Sequence, residues 1–194
     1  MKVSDSGLNL IKTFEGCKLT AYQDSGGVWT IGYGHTNGVV PVMVITQQQA
    51  DEFLRQDLAN AEKYVMAYDH IYHFNQNQFD ALVSFTYNAG AGNLKKLLSS
   101  GTKPIELVHK DLLDCCVRAK GKLLRGLVIR RNAEHNMMGD CTRDLSVVAK
   151  EVTEGKWGNG KARQQLLTDA GYIYSEVQEE VNRRIRDAAI PGNS

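Results

Sequence analysis

Apolar residues recur with helical spacing over most of the chain, and one stretch of different character interrupts them. After Ser4, apolar side chains at positions 8, 11 and 14 share one face of a helix that we expect to end near Gly16. Residues 19–45 carry short apolar runs punctuated by glycine, which indicates β-strands joined by tight turns. Helical spacing returns with the capping-box pattern Thr46-Gln-Gln-Gln49.

Helical patterns separated by short breaks continue to about residue 138. Beyond the segment that opens at Thr46, the predicted helices are Gln76–Ala89, Leu94–Ser99, Ile105–Ala119 and Leu127–Met138. A short β-region followed by a helical body is an α+β arrangement, and the sequence predicts that fold class.

The chain changes again at residues 139–146, GDCTRDLS, which are polar and unpatterned. Three more helical stretches follow at 145–154, 161–170 and 175–186, and a capping-box pattern, Ser175-x-x-Gln178, opens the last. Glycines past the ends of the first two match the usual C-cap. We therefore predict a domain at 1–140, a linker at 141–146 and a small three-helix bundle at 147–188.

Composition and charge exclude several classes of protein. The chain has 42% hydrophobic and 23% charged residues, as soluble globular proteins do, and its net charge of +1 offers no general attraction to nucleic acid. The first residues lack the apolar run of a secretion signal, and no window of about 20 apolar residues occurs. We expect a protein made in the cytosol without a signal peptide and without integral membrane association.

The four cysteines show no metal-ligand spacing. They are Cys17, Cys115, Cys116 and Cys141, and neither a CxxC pair nor a nearby histidine pair accompanies them. In a cytosolic chain we expect free thiols, and for Cys17 a small buried thiol rather than a redox switch. The sequence predicts neither a metal nor another cofactor.

Two acidic residues stand in an unusual setting, FEGCKLTAYQDSGGVWTIGYGHT at residues 14–36. Glycoside hydrolysis usually needs two carboxyl groups in different environments. Glu15 ends a helix beside Phe14, where partial burial would favour the protonated form of a general acid. Asp24 sits in a polar loop, where water and backbone donors would favour the charged form. The pairing alone does not establish catalysis, because most acids simply solvate the surface.

The motif around these acids resembles the T-even phage lysozyme family, glycoside hydrolase family 24. That family has Glu in an EG step, Asp nine residues later in a Y-x-D step, and Thr six further on in T-I-G-x-G-H. Here the matching residues are Glu15-Gly16, Tyr22-Gln23-Asp24 and Thr30-Ile31-Gly32-Tyr33-Gly34-His35. The resemblance continues through 78–90 and 126–134, so it covers residues 4–138.

The resemblance implies a muramidase and a role for each matching residue. Glu15 would be the general acid, Asp24 the base or the stabiliser of an oxocarbenium-like sugar, and Thr30 the residue that positions the attacking water. The family is generally taken to invert the anomeric centre, which would place the two carboxyl groups roughly 6.5–9.5 Å apart.

Several neighbouring residues have two interpretations. His35 is a candidate substrate contact, yet its ring could instead bond locally and hold the sheet. Tyr87 and Asn88 match the segment that lines the sugar groove in the family, while Tyr87 also has the spacing of a core residue. Arg130 and Arg131 either include a partner for Glu15 or form a solvated basic face. Gly32 and Gly34 are expected to serve backbone geometry.

The tail resembles the CW-seven cell-wall-binding motif, a three-helix repeat of lysins. The matching segments are Val148–Val152, Gly155–Gly160, Arg163, Leu167–Tyr174 and Val177–Asn182. The resemblance implies binding to the muropeptide unit of peptidoglycan without a metal, with Trp157, Asn159 and Arg163 as candidate contacts. From composition alone, Trp157 could instead fill the core of the small bundle.

Together these features indicate a modular phage endolysin that cuts peptidoglycan between N-acetylmuramic acid and N-acetylglucosamine. We expect a host with an exposed wall and dependence on a separate membrane-permeabilising protein, a holin. Two alternatives stay open: a lytic transglycosylase acting on the same polymer, and a non-catalytic peptidoglycan-binding protein.

Overall fold

The first helix begins and ends where the sequence predicts. A computed structural model describes residues 1–139, 141 and 143–188, and in it α1 spans Asp5–Glu15. The Ser4 hydroxyl accepts a hydrogen bond from the Gly7 backbone amide and caps the helix. The chain leaves α1 through Gly16, whose φ of +67° favours glycine.

A small antiparallel sheet follows α1. Strand β1 spans Lys18–Gln23 and strand β2 spans Trp29–Gly32, with Tyr22 opposite Thr30. The predicted β-region is therefore present, but residues 36–44 form turns and irregular segments rather than strands. Isolated bridges, Thr20 with Val44 and Ile31 with His35, join the turns to the strands.

The helical body that follows packs around one buried helix. Helix α2 spans Gln47–Met66, α3 Asp69–Tyr72, α4 Gln76–Ala89 and α5 Ala91–Leu97, then come a 3₁₀ turn at Ser99–Gly101 and α6 at Ile105–Leu112. Residues 78–86 of α4 are all buried, as expected for a helix surrounded by protein on every side. Both α2 and α4 begin with capping boxes, and the one at Thr46 was predicted.

The segment after α6 differs from the prediction. The helix predicted to reach residue 119 ends at Leu112, and Cys116, inside the predicted span, takes a φ of +58° that is incompatible with a right-handed helix. A short hairpin follows, with β3 at Arg118–Ala119 and β4 at Lys122–Leu123, and then α7 spans Arg125–Met138. Apolar spacing alone did not distinguish this turn and hairpin from a continued helix.

The last three helices form a second core. Helix α8 spans Leu145–Thr153, α9 Gly160–Asp169 and α10 Tyr174–Ala188. Ser175 therefore lies inside α10 rather than at its cap, contrary to the predicted capping box. Leu107 of α6 packs into this core, so α6 belongs to both parts of the molecule.

The predicted linker is only partly covered by the structure. Asp140 and Thr142 lie outside the described residues, so the boundaries 1–140, 141–146 and 147–188 stay predictions. Arg143, inside that segment, forms ion pairs with Glu106 of α6 and Glu151 of α8. Among the described helices, none is long and apolar enough to cross a membrane.

Candidate active site

Glu15 faces a guanidinium group. Its side chain, at the end of α1, is 24% exposed, and Arg130 Nη1 donates a hydrogen bond to Glu15 Oε1 at 2.6 Å. Arg130 comes from α7 and is itself buried, with its guanidinium carbon 5.4 Å from the centre of the Phe14 ring. The partner interpretation of Arg130 is therefore confirmed, and a solvated basic face is wrong for both buried arginines, Arg130 and Arg131.

A buried network holds Arg130 from behind. Arg130 Nε donates to Glu134 Oε1 at 3.1 Å, and the Ser84 hydroxyl donates to the same oxygen at 2.7 Å. Arg131 Nε lies 2.9 Å from Glu134 Oε2. Burial raises the pKa of Glu134 above its ordinary value, against the opposing effects of Arg131, Ser84 and Arg130. The network fixes the guanidinium that meets Glu15.

Asp24 lies in an exposed loop between the two strands and meets a different set of partners. Its Oδ1 accepts hydrogen bonds from the backbone amides of Gly26 at 2.8 Å and Val28 at 2.9 Å. Its own amide donates to the Val28 carbonyl at 3.0 Å and closes the loop. The expected backbone donors are present, so the two carboxylates differ in both exposure and partners.

Thr30 lies in β2, just beyond the Asp24 loop. It is buried, and its hydroxyl donates to the Val28 carbonyl at 3.0 Å. Thr30 pairs with Tyr22, two residues before Asp24, so the hairpin places the threonine and the aspartate at the same end of the sheet. With its proton engaged, the Thr30 oxygen can still accept a hydrogen bond.

His35 is buried, and both of its ring nitrogens have protein partners. Nδ1 lies 2.9 Å from Asp57 Oδ1, and Nε2 lies 2.9 Å from the Asn37 carbonyl oxygen. The ring also stacks on Phe53 at 4.3 Å. No ring nitrogen remains for a sugar, so we correct the candidate substrate contact in favour of the local interpretation, in which His35 holds the turn after β2.

Tyr87 and Asn88, at the end of α4, lie on the Glu15 side of the molecule. Burial raises the pKa of Tyr87 to about 12, and the nearby charges of Glu15 and Asp57 act in the same direction. Asn88 is exposed, and its Oδ1 accepts a hydrogen bond from Arg131 Nη2 at 2.8 Å. Tyr87 thus packs against the core near enough to Glu15 to be affected by its charge, and substrate contact by Tyr87 and Asn88 stays a prediction.

The sequence analysis did not predict two residues that hold Arg130 and His35 in place. Glu134 stands three and four positions after the two arginines, a spacing that brings side chains together on a helix and could have revealed it. Asp57 carries no such signal, because its partner His35 is 22 positions away.

The candidate tail residues separate into buried and exposed groups. Trp157 has no exposed surface, its Nε1 donates to Glu151 Oε2 at 3.1 Å, and its ring meets Tyr172 edge-on. It has no free face for a sugar, so we correct its assignment as a muropeptide contact: it fills the bundle core. Asn159 is exposed, and its Oδ1 accepts from Arg163 Nη2 at 2.9 Å.

The cysteines do not form a metal site in the part of the chain that the structure describes. There, no group of three or more histidine, cysteine, aspartate or glutamate side chains is placed to hold a metal ion. Cys17 is exposed, so its expected burial is wrong. The Cys115 and Cys116 sulfurs lie 3.7 Å apart as free thiols.

Comparison with known proteins identifies the larger unit. Residues 12–134, more than half of the chain, match the phage lysozyme family. The chain belongs to the phage lysozyme family. This lysozyme also carries a CW_7 repeat at residues 146–185. It is similar to the endolysin of Lactococcus phage c2, with 43% identity over 182 residues that cover 87% of this chain and 77% of the relative.

A second relative and two solved structures agree with this placement of the lysozyme. The endolysin of Bacillus phage PZA is 37% identical over 95% of this chain and 70% of its own length. The active form of the P1 phage endolysin superimposes with a TM-score of 0.60 and 28% identity, over 71% of this chain and 85% of that one. An endolysin from an Escherichia coli O157:H7 phage superimposes with a TM-score of 0.57 and 36% identity, over 74% of this chain and 97% of that one. The predicted α+β lysozyme fold is confirmed.

Proposed function

We propose that this lysozyme hydrolyses the β-1,4 bond between N-acetylmuramic acid and N-acetylglucosamine in peptidoglycan. Glu15 is the general acid, and Asp24 is the base, assisted by Thr30. The observation that carries the proposal is the contrast between the carboxylates. The Glu15 side chain is only 24% exposed, whereas Asp24 lies in an exposed loop and accepts hydrogen bonds from two backbone amides. Two carboxyl groups in different environments are what glycoside hydrolysis requires.

Each residue has one task in the reaction. Glu15 gives its proton to the glycosidic oxygen as the bond to the anomeric carbon breaks. Water attacks that carbon, and its proton passes to Asp24, so the sum is addition of one water across the bond. The Thr30 oxygen accepts a hydrogen bond from this water and orients it. We expect the two carboxyl groups to stand roughly 6.5–9.5 Å apart around the water, with inversion of the anomeric centre.

The CW_7 repeat holds the enzyme on its polymer. We assign muropeptide contact to Asn159 and Arg163, whose side chains are joined at 2.9 Å at the start of α9. A single repeat binds weakly, because avidity needs linked copies. The enzyme reaches the wall after synthesis in the cytosol and release by a separate holin, and its host has an exposed, Gram-positive type of wall.

Substitution of the two carboxylates tests the assignment. Glu15→Gln should lower the rate of wall clearing by 10²–10⁴-fold, a rough range for loss of a general acid. Asp24→Asn should also lower the rate, whereas Glu52→Gln on the exposed face of α2 serves as the matched control and should not. Clearing by Glu15→Gln at the wild-type rate would remove Glu15 from the mechanism. Anhydro products would instead identify a transglycosylase.

A further inference from the structure

The hairpin before α7 concentrates positive charge on a chain that is otherwise balanced. Four basic residues stand within eight positions without an acid, although the chain as a whole carries +1: Arg118, Lys120, Lys122 and Arg125. All four are exposed. Within the described residues, none of them forms an ion pair with a carboxylate. We call residues 118–125 the basic hairpin.

Aliphatic side chains lie at the base of the basic hairpin rather than at its tip. The turn consists of Lys120 and Gly121, both with positive φ, as in a two-residue hairpin turn. Leu123 and Leu124 follow the turn and are 56% and 41% exposed, and Ile129 in the second turn of α7 is 53% exposed. The surface therefore offers cations along the hairpin and apolar contacts where it joins the helix.

The basic hairpin adjoins the candidate active site. It leads directly into α7, and Arg130 follows Arg125 by five residues, a rise of about 7.5 Å along the helix axis. Arg130 is the residue that meets Glu15. The base of the hairpin therefore lies within about two helical turns of the residue that meets Glu15, within reach of a polymer that extends beyond Glu15.

We propose that the basic hairpin binds the acidic peptide stems of the glycan strand that is being cut. This rests on the proposed function, because only a muramic-acid polymer carries such peptides. A stem peptide offers both carboxylates for the cations and aliphatic side chains for Leu123, Leu124 and Ile129. A phosphodiester polymer would leave the aliphatic residues unused, and a bilayer would require them at the tip, where Lys120 and Gly121 stand.

The basic hairpin should contribute to substrate binding rather than to the bond-cleaving step. Exposed ion pairs are individually weak and are screened by salt. None of the four cations touches the carboxylates assigned to bond cleavage, so their loss should raise KM and leave kcat unchanged. The effect should also weaken as ionic strength rises.

A double substitution tests the proposal on two forms of the same glycan. Lys120→Gln with Lys122→Gln is compared with Lys95→Gln and Lys96→Gln, which makes the same charge change at exposed positions of α5. The substrates are glycan strands with their peptides and strands stripped of peptides by an amidase. We expect the hairpin variant to raise KM about fivefold on the peptide-bearing strands at low salt, from two exposed ion pairs. Its KM on bare strands, and both values for the α5 variant, should match wild type.

Other outcomes would overturn the proposal in distinguishable ways. An equal rise in KM on both glycans would assign the hairpin to the sugar groove. A loss seen only on walls that retain phosphodiester polymers, or loss of binding to anionic vesicles, would assign it to phosphate chemistry or to a membrane. If wild type cleaves neither glycan, the proposed function fails instead.

Discussion

Two arginine-centred networks differ in whether their carboxylates are fully used. At the junction of the two cores, Arg143 donates to both oxygens of Glu106 and to both oxygens of Glu151, at 2.6–3.0 Å. Beside α1, Arg130 donates to one oxygen of Glu15, and within the described residues the other oxygen accepts no hydrogen bond. The junction carboxylates are therefore bonded through both oxygens, whereas Glu15 keeps one oxygen without a hydrogen bond from the described residues.

The pKa shifts also differ between the Arg143 network and the Arg130 network. Burial alone would lower the pKa of Arg143, but hydrogen bonds and charge from Glu151 and Glu106 outweigh it and raise the pKa above its ordinary value. Around Glu134, burial dominates and raises the pKa of the carboxyl. The same residue types thus form an interface in which Arg143 is bonded to both oxygens of two carboxylates, and a network in which Arg130 is bonded to one oxygen of Glu15.

The largest loss of stability is expected in the C-terminal bundle, from Trp157→Ala. Removing a fully buried tryptophan should lower the free energy of unfolding of the C-terminal bundle by about 4 kcal/mol. Trp157→Phe should cost less because it leaves a smaller cavity. Thermal unfolding and co-sedimentation with walls measure both effects. A Trp157→Ala protein that is as stable as wild type but no longer binds walls would restore Trp157 as a candidate muropeptide contact.

On the active-site side, Glu134→Gln should affect stability and catalysis together. It removes the only carboxylate that Arg131 pairs with in the described residues and one of the two that Arg130 pairs with, which should lower the free energy of unfolding by about 3 kcal/mol in urea denaturation. Because Arg130 is no longer held, kcat should also fall. Glu62→Gln is the matched control, since Glu62 is a buried acid paired with Lys2 away from the site. Unchanged kcat in folded Glu134→Gln would show that the network does not support Glu15.

Arg143→Leu should weaken the contact between α6 and the C-terminal bundle without affecting catalysis. Within the described residues, Glu106, whose side chain is 2% exposed, would keep only the Tyr172 hydroxyl as a partner, so we expect a loss of about 2 kcal/mol. Cleavage of soluble glycan should be unchanged, while limited proteolysis near residue 143 becomes faster. Arg183→Leu, which breaks only surface pairs in α10, should cost less than about 1 kcal/mol. Lost hydrolysis in Arg143→Leu would contradict the division of roles.

The smallest expected effect is that of Tyr172→Phe, which also tests pH dependence. Losing the hydroxyl that bonds Glu106 should cost about 1 kcal/mol. Burial, with the Glu106 hydrogen bond, raises the pKa of Tyr172 above its ordinary value of 10.0, so the fold favours the neutral phenol. This stabilisation is present below pH 10 and is lost as pH rises beyond it. Between pH 9 and pH 11, the free energy of unfolding should fall less steeply with pH for Tyr172→Phe than for wild type. An equal fall in both proteins would contradict this role of Tyr172.

The sequence predicted the bounds of those helices whose first and last turns are marked by capping residues. Helix α4 has the predicted bounds, Gln76–Ala89, because a capping box at Asn75 opens it and Gly90, with a φ of +86°, ends it. The end of α6 was missed because a left-handed cysteine and a two-residue turn carry no distinctive apolar pattern.

A site can be predicted from the sequence where its motif lies within one stretch of chain, as for Glu15, Asp24 and Thr30, and their catalytic roles stay predictions. Its supports come from distant positions: Arg130 reaches Glu15 across 115 residues, and Ser84 reaches Glu134 across 50. Tertiary packing decides such pairings, so periodicity and composition cannot show them. For the same reason the sequence left open whether Trp157 faces sugar or core.

The most direct test of the account is digestion of purified walls by the wild-type enzyme in water enriched with heavy oxygen. Mass analysis of the fragments then shows where the water oxygen enters. We predict reducing N-acetylmuramic acid ends that carry one heavy oxygen, because a water held near Asp24 and Thr30 attacks the anomeric carbon. Anhydro ends without heavy oxygen, or label at N-acetylglucosamine ends, would contradict the proposed hydrolysis of this bond.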